Sequence, residues 1–166
     1  MDVERVPMDL DAYVRGVRSG RCFVCALVAG DGPEEARAVV FDDGEHIAFL
    51  SRYPTVYGYV LVSPRRHVEH VIRDLGEEEY LRLQAVVYRV ARAVEAVVES
   101  ERTYVLSLGS QQGNAHIHWH VAPLPPGTPY EQQQFHALMA ERGVLALSAE
   151  QSEQLADRIR SALGSG

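Results

Sequence analysis

The sequence contains no lysine, and all sixteen of its basic residues are arginine. Chemistry that begins at a lysine amine, such as Schiff-base formation, is excluded, and so is a phosphate loop built around the Walker A lysine. Cysteine is scarce too. Cys22 and Cys25 are the only two, and they lie too close together to staple a fold, which leaves metal binding, redox chemistry or burial as their uses. No stretch approaches the roughly 20 consecutive apolar residues that span a bilayer. The opening residues MDVERVPMDL lack the basic start and apolar run of a signal peptide, so a cytoplasmic location is expected. An excess of positive charge is also missing. Twenty-three acidic residues against sixteen basic ones give a formal charge of −7, scattered along the chain, which argues against general nucleic-acid binding.

What is present is a chain of 166 residues, 46% hydrophobic and 23% charged, proportions that predict one globular domain over residues 1–166 with an ordinary core. Met8 to Gly20 reads as a short helix with Asp9 as N-cap and Gly20 as stop, leading into Cys22-Phe23-Val24-Cys25. Two apolar runs, Ala36 to Phe41 and His46 to Ser51, are joined by Asp42-Asp43-Gly44, the chemistry of a tight hairpin. Tyr57 to Ser63 suits a third strand, ended by Pro64 ahead of Arg65-Arg66-His67.

From Asp74, three glutamates suit the positive end of a helix dipole, and Tyr80, Leu83, Val87, Val90, Val94 and Val97 recur at helical steps as far as Ser100. Thr103 to Leu108 reads as a fourth strand, Gly109 to Asn114 as a polar loop, and Ala115 to Ala122 as a fifth strand stopped by prolines 123, 125, 126 and 129. Tyr130 to Arg142 and Ser148 to Leu163 are expected as closing helices, with Gly164-Ser165-Gly166 as a frayed end. This order predicts an α+β fold, a mostly antiparallel five-stranded sheet with a long helix and further C-terminal helices on one face.

The strand at 115–122 carries the chemistry. His116, His118 and His120 share one parity, and Ile117, Trp119 and Val121 share the other, so a strand sends the imidazoles to one face and the apolar residues to the opposite one. Three readings follow. The histidines are a solvated polar face; or two of them, i and i+2, hold a catalytic metal; or the central imidazole is a nucleophile whose neighbours orient it and handle phosphate charge. A neutral imidazole is nucleophilic near neutrality when one nitrogen is fixed as a donor and the other presents its lone pair. His120, one side-chain step away, suits donation to a phosphoryl oxygen or to a leaving group. Backbone amides around Gln111-Gln112-Gly113-Asn114 offer further donors in place of lysine.

The run Gly113-Asn114-Ala115-His116-Ile117-His118-Trp119-His120-Val121-Ala122-Pro123 resembles the signature of the histidine triad superfamily, His-φ-His-φ-His-φ-φ with φ apolar. The Cys-x-x-Cys near the start and Gly58 to His67 ahead of the long helix add to the likeness, which covers roughly 21–123 and leaves 124–163 as a C-terminal extension. The resemblance implies that His118 attacks an α-phosphorus to form a nucleotidyl-histidine, with His120 assisting. Gln112, Gly113 and Asn114 then face phosphate, and Ser51 stands where the family contacts ribose. It also implies a zinc ion held by Cys22, Cys25, His67 and His116. His46, His70 and His136 read as ordinary surface or capping histidines, with His70 able to replace His67 as a ligand. The function implied is a hydrolase or nucleotidyltransferase acting on a phosphoanhydride, phosphoramidate or dinucleoside polyphosphate. A weakly catalytic nucleotide sensor and a metal-dependent enzyme are the alternatives. A homodimer paired through the long helix and a sheet edge is expected by the same analogy.

Overall fold

The computed structural model describes residues 3–31 and 38–164. The element order is β1 (Arg5–Val6), α1 (Leu10–Ser19), α2 (Phe23–Ala29), β2 (Val39–Asp42), β3 (His46–Leu50), β4 (Val60–Pro64), α3 (Glu77–Val97), β5 (Arg102–Ser110), β6 (Gly113–Leu124), α4 (Phe135–Leu138), β7 (Val144–Leu145) and α5 (Ala149–Gly164). Strands β2 to β6 form one antiparallel sheet in the order β2-β3-β4-β6-β5. The α+β class and the five strands agree with the sequence reading. The start of the first expected strand, Ala36, and the end of the tail, Ser165-Gly166, lie outside the described residues.

Strand β6 lies inside the sheet, with β4 on one side (Leu61 opposite His120, Val62 opposite Trp119) and β5 on the other (Leu106 opposite His120, Leu108 opposite His118). Its apolar parity, Ile117, Trp119 and Val121, joins Ala48, Leu50, Val60 and Val62 under helix α3, whose Leu83, Val87, Val90 and Val94 face the sheet. Leu155, Ala156 and Ile159 of α5 complete this core.

Helices were expected on one face only, but both faces are covered. The reason is that β3 and β4 are apolar on both parities, and every residue of each is buried, so water has to be excluded from both sides. On the second face Ile47, Phe49, Leu61 and Ala122 pack with Val24 and Leu27 of α2. His46 is buried too, on the α3 face with Ala48 and Leu50, its Nδ1 3.2 Å from Asp43 Oδ2, where a surface or capping histidine was expected.

Three further differences have local causes. The polar loop expected over 109–114 shrinks to a turn at Gln111-Gln112, because β5 continues through a bulge to Ser110 and β6 begins at Gly113. The helix expected over 130–142 is broken into α4 and two single 3₁₀ turns, since Gln134 stands at φ +57° with its N–H bonded to Tyr104 Oη at 2.8 Å. A two-stranded ribbon absent from the sequence reading pairs β1 with β7, and Arg5 bonds the carbonyls of Gly143 and Thr55 across it, both at 2.8 Å. Among the described residues no helix is long and apolar enough to cross a membrane.

Candidate functional site

The polar parity of β6 faces the same side of the sheet as α2, and the two meet at Cys22. This residue is the N-cap of α2, its Sγ 3.5 Å from the Cys25 N–H, so the chain doubles back and presents both sulfurs on one side. His116 Nδ1 lies 3.3 Å from Cys22 Sγ and 3.7 Å from Cys25 Sγ, and His67 Nδ1 lies 3.3 Å from Cys25 Sγ. One ligand atom from each of the four residues falls within 4.8 Å of the others. Zinc–sulfur and zinc–nitrogen bonds of about 2.3 and 2.0 Å arranged tetrahedrally give edges of this length. The outer nitrogens are held as such a site needs: His116 Nε2 donates to the Pro64 carbonyl at 2.8 Å, and His67 Nε2 to Glu69 Oε1 at 3.0 Å.

Burial lowers the His116 pKa to about 4 and, with the adjacent Cys22 thiol, raises that of Cys25 to about 11. The imidazole is therefore neutral and its inner nitrogen a lone-pair donor, while the Cys25 thiol keeps its proton until a cation displaces it. The four residues can hold a metal ion, and two sulfurs with two imidazoles are a zinc donor set. His70 is not in the cluster; its ring contacts Arg73 and Gln111.

One pleat along, His118 is buried and its Nδ1 donates to the His116 carbonyl at 2.8 Å. That bond fixes the tautomer and leaves Nε2 with a lone pair. Phe23 stands edge-on to the ring at 5.7 Å, and Ser107 Oγ bonds the His118 carbonyl at 2.8 Å. Gly109, at φ +155°, lets the backbone pass close to the ring. A Cβ there would sit 2.9 Å from the Asn114 carbonyl oxygen and 4.0 Å from His118 Cε1. Burial holds His118 below its ordinary pKa of 6.5.

His120 has the opposite polarity. Its Nδ1 lies 2.8 Å from Tyr59 Oη, and burial raises the Tyr59 pKa, so the phenol keeps its proton and donates it. The His120 proton then sits on Nε2, which is buried with no acceptor among the described residues. Burial also lowers the His120 pKa to about 4. The two rings are 4.9 Å apart between centroids, closer than the roughly 7 Å between alternate residues of a strand, because they lean toward each other. An acceptor nitrogen therefore lies beside a donor nitrogen. The reading of paired metal ligands on this strand gains no support: the inner nitrogen of His116 faces the thiols, and among the described residues the group of three or more metal-ligating side chains includes neither His118 nor His120.

These groups open onto a cavity of about 1140 Å³ that Ser51, Gln112, Gly113 and Asn114 also line. The expected site residues are thus brought together, though Asn114 is already occupied, its Nδ2 donating to Tyr13 Oη at 2.7 Å. The sequence reading missed Tyr13, Phe23 and Tyr59. No local pattern marks them; Tyr59 meets His120 only because β4 lies beside β6, with Leu61 opposite His120.

The sequence model of the HIT domain matches residues 33–126. The chain belongs to the HIT family. An uncharacterized HIT-like protein of Mycobacterium tuberculosis is 30% identical over 105 residues, 61% of this chain and 70% of its own length. The protein hit of Bacillus subtilis is 30% identical over 105 residues, 63% and 70%. Among solved structures, a Zn-bound histidine triad family protein from Mycobacterium smegmatis superposes with TM-score 0.68 and 25% identity over 87% of this chain and 94% of its own. A hypothetical histidine triad nucleotide-binding protein from Sulfolobus tokodaii gives TM-score 0.69 at 22% identity over 87% and 93%. The family match begins beyond α1, α2 and both cysteines of this HIT protein.

Cobalt(II) added to the reduced protein is expected to give thiolate-to-metal charge-transfer absorption that Cys22→Ser abolishes. The same substitution should lower the thermal midpoint by about 2–4 °C for each kcal/mol of binding lost. Protein with both thiols reduced and the fold intact that takes up neither cobalt nor zinc would dispose of the metal site.

Proposed function

We propose that this HIT protein binds a nucleotide and cleaves it at the α-phosphorus through a nucleotidyl-histidine intermediate on His118, as a hydrolase or nucleotidyltransferase. The observation that carries this reading is the pairing of tautomers, a lone pair on His118 Nε2 beside an unsatisfied N–H on His120 Nε2. A buried donor without an acceptor costs about 1–3 kcal/mol, and a phosphoryl oxygen supplies the missing acceptor. The Sulfolobus tokodaii neighbour, a hypothetical histidine triad nucleotide-binding protein, accords with a nucleotide as ligand, and the cavity has room for one.

As His118 Nε2 bonds to phosphorus, the bond to the leaving group breaks and the ring becomes an imidazolium. Its Nδ1–H points at the His116 carbonyl, which stabilises that charge. His120, neutral with its proton on Nε2, donates a hydrogen bond to the phosphoryl oxygen. Water or another acceptor then attacks the same phosphorus, gives its proton to the departed group or to solvent, and expels neutral His118. Gln112 and Gly113 line the phosphate side of the cavity, the Gln112 N–H being held by Ser110 Oγ at 3.1 Å, and Ser51 is assigned to the ribose. Asn114 acts through its backbone, its amide being held by Tyr13.

We also propose zinc as the ion held by Cys22, Cys25, His67 and His116, a reading that the Zn-bound Mycobacterium smegmatis relative supports. It supplies no step of the reaction. It fastens the start of α2 to β6, and His116 hands that rigidity to His118 through its carbonyl. A homodimer is proposed because Val105 and Leu108 are exposed on the edge strand β5, as are Leu81 and Tyr88 on α3.

His118→Asn is expected to lower turnover by about 10³-fold or more while nucleotide affinity stays within about tenfold. Rapid quench with α-labelled nucleotide should place acid-labile label on His118 of the wild type. Near-native turnover by His118→Asn would end the proposal, and binding without turnover by the wild type would leave a sensor.

The pH dependence has a definite sign. A histidine whose pKa is lowered from 6.5 by burial stays neutral as pH falls through 6.5, so the acid limb of kcat/KM is expected below that value. An acid limb above pH 7 would contradict the assignment. Sedimentation equilibrium should return the mass of two chains, reduced to one by Val105→Glu. A wild-type mass of one chain at every concentration would refute the dimer.

A further inference from the structure

Helix α1 precedes the HIT match at 33–126, yet it forms a wall of the cavity. Residues 12, 13 and 16 to 18 line it together with His118 and His120. The helix has no fully buried residue. It is held to the β5–β6 turn by Tyr13 on Asn114, by Arg18 Nη2 on Gln112 Oε1 at 3.0 Å, and by Val17 lying over Gly113. Tyr13 also meets Tyr53 edge-on at 5.4 Å.

The cavity has two chemical halves. Phe23, Phe49, Leu61 and Leu138 make an apolar side suited to a base, whereas α1, the β5–β6 turn and Arg52 make a polar one. Its charged lining residues are Asp9, Arg18, Arg21 and Arg52. Asp9 caps α1 through the Ala12 N–H, and Arg21 pairs with Asp31 at 3.2 Å. Arg18 and Arg52 have no carboxylate partner among the described residues, although the chain as a whole is at −7. Tyr13 Oη accepts from Asn114, so its own proton remains to be donated, and no acceptor for it occurs among the described residues. A wall with a free O–H and two guanidinium groups whose charge no carboxylate neutralises, Arg18 on Gln112 and Arg52 over the Tyr53 ring, binds anions and disfavours amines.

We propose that α1 is part of the substrate site, with Tyr13 and Arg18 gripping the phosphate chain that departs from the α-phosphorus, so that the preferred leaving group is an anionic phosphate or polyphosphate and not an amine. This rests on His118 being the nucleophile. When its Nε2–P bond forms, the P–O bond to the next phosphate breaks and that oxygen leaves with the electron pair. Arg18 and Tyr13 hold the added negative charge.

The test is the ratio of kcat/KM for a dinucleoside polyphosphate to that for a nucleoside phosphoramidate of the same base. The wild type should favour the polyphosphate. Arg18→Gln should reduce the ratio by about tenfold or more, the scale of one charge-assisted hydrogen bond, with Tyr13→Phe lowering it less and Arg18→Lys restoring part of it. A merely structural helix would lower both values together and leave the ratio unchanged; that result, or a wild-type preference for the phosphoramidate, overturns the proposal. Calorimetry with inorganic tripolyphosphate gives a reading independent of turnover. Arg18→Gln should weaken its binding by about tenfold or more, and equal affinity in wild type and variant refutes the role of α1. A wild type that turns over neither substrate yet loses tripolyphosphate binding with Arg18→Gln would refute the nucleophile while retaining the anion site.

Discussion

The alternation of side chains along β6 determines where everything else in this molecule has to go. With a hydrogen-bonded neighbour on each side, the strand cannot slip. A shift of one residue would put Trp119 into the cavity and three imidazoles under α3. Fixed in this way, the histidines are taken out of water together, and each needs a partner for what it loses. His116 finds Pro64 and the thiols, His118 finds the His116 carbonyl, and His120 finds Tyr59 on one nitrogen only.

Those partners also impose a direction. A carbonyl can only accept, so His118 must donate from Nδ1 and present its other nitrogen bare. A buried phenol that keeps its proton donates to His120 and makes the second ring a donor on its far side. Two chemically identical side chains, two residues apart, thereby acquire opposite roles through a backbone oxygen and a tyrosine. His116 links this pair to the sulfur cluster, its ring turned to the thiols and its carbonyl to His118.

Features set by short-range rules were legible in the sequence. Asp9 caps α1 and Gly20 ends it, three glutamates open α3, and the parity of 115–122 separates core from site. The four candidate metal ligands are gathered as the family resemblance implied. What could not be read depends on pairs far apart in the chain. Tyr59 reaches His120 across 61 positions and Tyr13 reaches Asn114 across 101, and no local pattern announces either. His46 was misjudged because it follows a polar turn, whereas its ring lies on the parity of Ala48 and Leu50 and is covered from the side of α3, far away in the chain. The helix expected over 130–142 failed at a single residue, Gln134, whose positive φ no propensity would assign to it.

Gly113 and Val17 are steric complements. A β-carbon at 113 would lie 2.3 Å from Val17 Cγ1, so any side chain there has to displace either the turn or the helix. The two positions are therefore sterically coupled, although they stand on opposite sides of the boundary where the HIT match begins. Among homologues that carry the amino-terminal helix, residue 113 should stay glycine or change together with residue 17. In those that have dispensed with the helix, the position is released to bear a side chain of its own.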